Sequence, residues 1–204
     1  MRILVGLGNP GAGYERTRHN LGFRTLDVLA GRHGLVFGDP VAACAEASGR
    51  IAGVEVVLLK PQLYMNRSGP ALARWARRRD LDLATADPVV QAPPLVVCDD
   101  IALPLGAARL RVRGGDGGHR GLESVIGTLG DEDFPRLRLG VAGGGEPVPP
   151  SIWADYVLDA FTSPEEPVVE ELIDHACATL EWVLVHGVED AASRFNRGPP
   201  AAKG

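Results

Sequence analysis

The chain has 204 residues, 45% of them hydrophobic, enough for one compact domain with a full core. A net charge of -5 and a pI near 5.5 argue against a nucleic-acid binder that relies on whole-molecule positive charge, but leave room for a local basic patch. Three widely spaced cysteines, Cys44, Cys98 and Cys177, exclude a disulfide framework and the usual zinc spacings and suit a reducing cytoplasm; no apolar run is long enough for a signal peptide or a bilayer span, so no membrane partner is expected.

The first predicted strand, 2–8, runs into Gly6-Leu7-Gly8-Asn9-Pro10-Gly11, which spells the dinucleotide fingerprint G-x-G-x-x-G. That fingerprint requires its glycines to open a helix facing a pyrophosphate and an acid to end the next strand. Here Pro10, Gly11 and Gly13 prolong an irregular turn, the helical pattern starts only near His19, and Asp27 falls inside that helix, so the cofactor reading is disfavoured. Thr17-Arg18-His19-Asn20 leads into a predicted helix at 20–32 that stops near Gly34.

A weaker strand at 42–51 and a firmer one at 54–60 precede a helix at 66–79, with Asn66 or Ser68 as its expected cap. An Ala/Pro-rich loop covers 84–94, and strand 94–99 ends on Asp99-Asp100. Strand 107–113 leads to the glycine loop 114–118, a helix at 119–130 and strand 136–142. A second loop at 143–150, helices at 165–187 and 189–196, and a disordered tail at 198–204 complete the chain. The alternation predicts an α/β fold: a single three-layer domain over 1–197, with a mostly parallel mixed sheet flanked by helices.

Open α/β sheets place ligands at strand ends, where Asn9, His19, Asn66, Asp99 and His119 all fall, so these residues are expected to converge on one rim. A histidine titrating near neutrality can take a proton from water, and a carboxylate on its other nitrogen fixes the tautomer and stabilises the imidazolium. Asp99 is the candidate orienter of His19. Asn9, Asn66 and the glycine-loop amides are candidate donors to a tetrahedral oxyanion. No serine sits in a nucleophile elbow and no cysteine has an evident base, so direct attack by activated water is expected. The acids and histidines lack metal-ligand spacing, so no metal is expected, and the glycine loop lacks the Gly-Lys-Ser/Thr ending of a P-loop. Arg109, Arg111, Arg113, Arg120, Arg136 and Arg138 gather on segments flanking that loop as a local basic patch. Trp75, Trp153 and Trp182 read as core or interface anchors.

The ordered blocks Gly6–Gly11, Tyr14 with Thr17–Asn20, Lys60-Pro61 with Tyr64-Met65-Asn66 and Ser68-Gly69, Asp99-Asp100 with Leu103-Pro104, Gly117-Gly118-His119 with Gly121-Leu122, and Arg136–Gly140 together resemble bacterial peptidyl-tRNA hydrolase. The resemblance implies cleavage of the ester between a peptide and the 3′ ribose of tRNA, without cofactor, by a cytoplasmic enzyme acting as a monomer on tRNA carrying a peptide. It implies that His19 activates water, Asp99 holds it in its basic form, and Asn9 helps select a blocked amino group. Tyr14, Tyr64, Met65 and Asn66 would line the cleft together with His119 and Arg120, and Arg109, Arg111 and Arg138 would grip tRNA phosphate.

In one place the chain departs from that pattern. Family members usually carry Asn after Gly-Gly-His, and this chain has Arg120. An asparagine side chain donates and accepts hydrogen bonds, whereas arginine only donates and is charged. Arg120 is therefore expected to meet the tRNA terminus, or to pair with Asp116 or Asp100 and close part of the cleft. The alternative function is a catalytically weak or inactive RNA-binding scaffold of the same fold.

Overall fold

The computed structural model describes residues 1–83, 89–90, 92–143 and 147–196; the expected tail at 198–204 and parts of the two expected loops lie outside these residues. Six strands form one sheet: β1 (Arg2–Gly6), β2 (Cys44–Ile51), β3 (Val54–Pro61), β4 (Leu95–Pro104), β5 (Ala108–Arg111) and β6 (Arg136–Ala142), in the order β2-β3-β1-β4-β6-β5. The four central strands are mutually parallel, and β2 and β5 close the two edges antiparallel. The mixed, mostly parallel sheet expected from the alternation is present.

Side chains alternate across the pleat, so each central strand feeds two cores. Leu4, Leu58, Val97 and Leu137 pack on one face against α1 (Leu21–Arg32) and α5 (Glu166–His186), joined by Ala191 of α6 (Val188–Phe195). Ile3, Val5, Leu59, Val96 and Cys98 pack on the other against α2 (Ser68–Arg77) and α3 (Arg120–Leu129). The result is a three-layer domain whose first two crossovers run over opposite faces, opening a crevice at the carboxyl ends of the central strands.

The glycines of the first motif serve packing. A Cβ on Gly6 would lie 2.5 Å from the Gly22 carbonyl oxygen, and one on Gly22 would lie 2.4 Å from that of Val97. Their absence lets the start of α1 press onto β1 and β4, which is what carries the preceding 3₁₀ turn, Arg18–Asn20, to the end of the sheet.

Three local expectations are corrected. Neither Asn66 nor Ser68 caps α2; its first turn follows a 3₁₀ turn, Met65–Arg67, and the Gly69 N–H donates to Ser124 Oγ of α3 at 3.0 Å. The strand expected at 94–99 continues through a register shift to Pro104, because β6 stays alongside it. A short helix, α4 (Trp153–Leu158), was not anticipated: its six residues include no buried side chain, so no apolar period marks it.

Candidate active site

The chain leaves β1 at Gly6 and reaches Asn9, whose backbone is clamped by a neighbour on the next turn. The Asn9 N–H donates to Asn20 Oδ1 at 2.8 Å, and Asn20 Nδ2 donates back to the Asn9 carbonyl at 2.9 Å, with both asparagines buried. Past the end of β3, the Met65 N–H donates to Asn9 Oδ1 at 2.8 Å. With its carbonyl oxygen engaged, the Asn9 carboxamide is left with its NH2 group as the donor it offers to the cleft.

The same packing of α1 sets His19 beside β4. His19 Nδ1 lies 2.8 Å from Asp99 Oδ1, and Asp99 is 2% exposed. His119 approaches the same oxygen from the start of α3, with Nε2 at 3.0 Å, and the two imidazole centroids are 4.8 Å apart. His119 Nδ1 accepts from the Gly121 and Leu122 N–H groups at 3.0 and 3.2 Å, which caps α3. An acceptor nitrogen carries no proton, so the His119 ring is protonated on Nε2 and donates to Asp99. Burial alone would lower the pKa of His19, but the charge and hydrogen bond of Asp99 outweigh it and raise the value above that of a free histidine. Burial likewise opposes ionisation of Asp99, yet the two histidines hold its carboxyl well below the ordinary carboxylate range.

These groups open onto a cleft of about 450 Å³. The buried Asn9, His19, Asp99 and Met65, with His119, form its floor, and Tyr64, Asn66, Ile101, Trp153 and Val157 also line it. Met65 is buried, whereas Tyr64 and Asn66 are exposed. Tyr14 is outside the lining and meets the Tyr64 ring edge-on at 6.4 Å. Arg120 sits on the rim, 75% exposed, and its ion pair is with Glu123 at 3.7 Å rather than with Asp116 or Asp100. Asp116 Oδ1 instead accepts the Gly118 N–H, and Asp100 takes Arg138.

The basic patch is assembled by register. On the antiparallel β5–β6 pair Arg109 lies opposite Arg138, and Arg111 opposite Arg136, so all four side chains project from one face. They divide by use. Arg138 donates to Asp100 Oδ2 at 3.0 Å and to the Gly115 and Asp116 carbonyls at 2.7 and 3.1 Å, and the buried Arg136 bonds the Phe134 and Glu132 carbonyls. Arg138, joined by Arg136 Nη1 at 3.4 Å from the Gly115 carbonyl, holds the glycine loop, while Arg109 and Arg111 are exposed to solvent.

Sequence reasoning missed four contributors. Asn20 and Arg18 sit inside the recognised Thr17–Asn20 stretch, but nothing in the string shows that Asn20 folds back on Asn9. Arg18 is almost fully buried; it meets both Glu165 oxygens at 3.0 and 2.9 Å, donates to the Ala160 carbonyl at 2.6 Å and lies 4.4 Å over the Tyr156 ring, tying the α4 wall to the His19 turn. Asp100 orders both Arg138 and, through its Oδ1, the Ala102 N–H at 2.9 Å. Trp153, read as an anchor, lines the cleft. The cysteines are buried, and burial pushes the Cys177 thiol up to about 11, far from the range of a reactive thiolate.

The ligating atoms of His19, Asp99 and His119 lie within 4.8 Å of one another, close enough to consider a cation. Both ring nitrogens, however, meet one oxygen at the distance of N–H donors sharing an acceptor, which reads as a hydrogen-bond chain. Among the described residues no helix is long and apolar enough to cross a membrane.

The sequence profile of the peptidyl-tRNA hydrolase family matches residues 3–203. The chain is 44% identical over 196 residues to a peptidyl-tRNA hydrolase of Chloroflexus aggregans, covering 96% of this chain and 99% of the relative. It is 45% identical over 202 residues to one of Roseiflexus castenholzii, covering 98% and 89%. The crystal structure of the peptidyl-tRNA hydrolase of Acinetobacter baumannii superposes with a TM-score of 0.84 at 32% identity, covering 98% of this chain and 97% of that one.

Proposed function

This chain belongs to the peptidyl-tRNA hydrolase family, and from that premise we propose that His19, oriented by Asp99, activates the water that cleaves the ester between a peptide and the 3′ ribose of tRNA. The observation that carries the assignment is the 2.8 Å contact of His19 Nδ1 with a buried carboxylate at the floor of the cleft. With Nδ1–H donating to Asp99, Nε2 is the nitrogen left to take a proton from water. Hydroxide attacks the ester carbonyl carbon, and the tetrahedral oxyanion is stabilised by the Asn9 NH2 group or by Asn66 on the rim. Collapse expels the ribose 3′ oxygen, which receives the proton held on Nε2, returning the free base. No metal or organic cofactor enters this scheme.

Asn9 also accounts for selection of blocked substrates. Its remaining donor can meet the carbonyl of the residue before the ester-linked one, a group that a free aminoacyl end lacks. The peptide occupies the cleft between Tyr64, backed by Tyr14, and the α4 wall. Arg120 supplies a donor at the rim where an asparagine is usual. Arg109 and Arg111 contact tRNA phosphate, and Arg138 adds its charge while shaping the glycine loop. Residues 1–197 act as a single hydrolase domain, a monomer in the cytoplasm, a compartment that suits three free buried thiols.

The test is release of an N-blocked amino acid from tRNA by the purified protein, beside His19→Ala. Turnover by the wild type and loss of about 10²-fold or more in the variant support the assignment. Retained tRNA binding without turnover in the wild type would instead favour the inactive scaffold.

A further inference from the structure

His119 occupies two positions at once, and its two nitrogens cannot exchange roles. Nδ1 is buried under the first turn of α3, where it accepts two backbone N–H groups, so the ring proton stays on Nε2, 3.0 Å from Asp99 Oδ1. That oxygen is the same one His19 uses. A carboxylate oxygen shared between two N–H donors pulls less strongly on either proton than one serving a single donor.

We propose that His119 is a positioning residue: locked as the Nε2–H tautomer by capping α3, it donates to Asp99 and weakens that carboxylate's pull on the His19 proton, so that a larger share of His19 is free base at neutral pH than Asp99 alone would leave. The inference rests on the reading of His19 as the base. It explains how a histidine paired with a buried carboxylate, an arrangement that stabilises the imidazolium, can still be available as a base. The other charged groups around the pair are already committed. Arg138, on the neighbouring β6, is spent on Asp100 and the glycine loop, and Asp100, next along β4, is neutralised by it. Cys98, on the other side of Asp99, remains a neutral thiol because burial disfavours its thiolate. His119 is therefore the group through which α3 acts on the catalytic pair.

Two substitutions separate its roles. In His119→Asn the side-chain oxygen reaches the cap position but nothing reaches Asp99; in His119→Gln the amide reaches Asp99 and the cap is lost. His19 is titrated by ¹⁵N/¹H NMR in wild type and both variants, and kcat/KM with N-blocked aminoacyl-tRNA is followed from pH 5 to 9. Expected for His119→Asn is a midpoint about one pH unit higher in both measurements, giving roughly tenfold lower kcat/KM on the acid limb and recovery toward alkaline pH. Expected for His119→Gln is the wild-type midpoint with a melting temperature lower by about 2–4 °C. An unmoved His19 midpoint in His119→Asn overturns the inference. So does a wild-type spectrum in which His119 carries its proton on Nδ1, a readout that requires no variant to fold. Because the titration reads His19 directly, it stands even if His19→Ala retains turnover, the result that would remove the base assignment itself.

Discussion

Replacing Asn20, a residue with no place in the reaction itself, tests whether the Asn9 clamp builds the site. Asn20 is 2% exposed, and its carboxamide satisfies both backbone groups of Asn9. Asn20→Ala removes two hydrogen bonds and strands two buried polar groups, each at a cost of about 1–3 kcal/mol, for a total of ~2–6 kcal/mol against a typical stability of roughly 5–15 kcal/mol. With a urea m-value of about 2–3 kcal/mol/M, the unfolding midpoint should fall by ~1–3 M. Loss of the clamp also frees the Asn9 carboxamide from its alignment, so kcat/KM should fall by at least about tenfold under conditions where the variant remains folded. Asn20→Asp is the informative companion. It preserves volume but sets a second oxygen against the Asn9 carbonyl, so it should be at least as harmful as alanine. Urea denaturation followed by circular dichroism, with ester-release kinetics on the same preparations, reads both quantities. If Asn20→Asp matched the wild type in stability and turnover, the side chain would be mere filling and the clamp argument would be wrong.

Other outcomes follow from the geometry. Because Asp99 raises the pKa of His19, protonation of His19 adds stability that is full below the ordinary histidine value near 6.5 and is lost as pH rises through the higher folded value; the urea midpoint of the wild type should fall between pH 6 and 8 more than that of His19→Ala. The carboxyl of Asp99 is shifted the other way, so its contribution is present above pH ~4 and lost as pH falls through the folded value; wild type should lose stability toward acid more steeply than Asp99→Asn in the same assay. Arg109→Ala with Arg111→Ala should weaken tRNA binding and reduce the slope of log affinity against log salt by about 2, measured by filter binding, whereas an unchanged slope would remove these residues from the phosphate contact. Gly22→Ala should cost about 1–3 kcal/mol or more by thermal melting, since its methyl would strike the backbone of Leu7, just past β1, and of Val97 on β4.

Much of this molecule was legible in one dimension because its signals are local. Apolar runs bounded by turns marked the central strands, β2 showed more faintly, and the longer helices appeared with ends within a few residues, since burying a face imposes a period on the chain. The gathering of the candidate site was legible for a different reason: Asn9 and Asn66 follow parallel strands, Asp99 lies in the half of β4 that was read as a strand end, and His19 precedes the helix packed on them, so all four line one cleft. Composition and period carry no record of which side chains turn inward to hold others. Arg138 looked like a free cation and proved to be bonded to Asp100 and two loop carbonyls; Arg120 looked able to reach Asp116 or Asp100, but both acids were already engaged. α4 escaped notice because a six-residue helix with no buried side chain leaves no apolar pattern to read.

The residues alone dictated an α/β domain and the types of group available for ester hydrolysis, because element propensity and proton affinity belong to each residue and its near neighbours. Folding in three dimensions decided which acceptor each donor met: Asn20 on Asn9, Met65 on the carboxamide of Asn9, and two histidines on one oxygen of Asp99. Partners 11 to 80 residues apart in the chain meet because buried polar groups must be paired, and the helix and strand packing determines which of them come within reach.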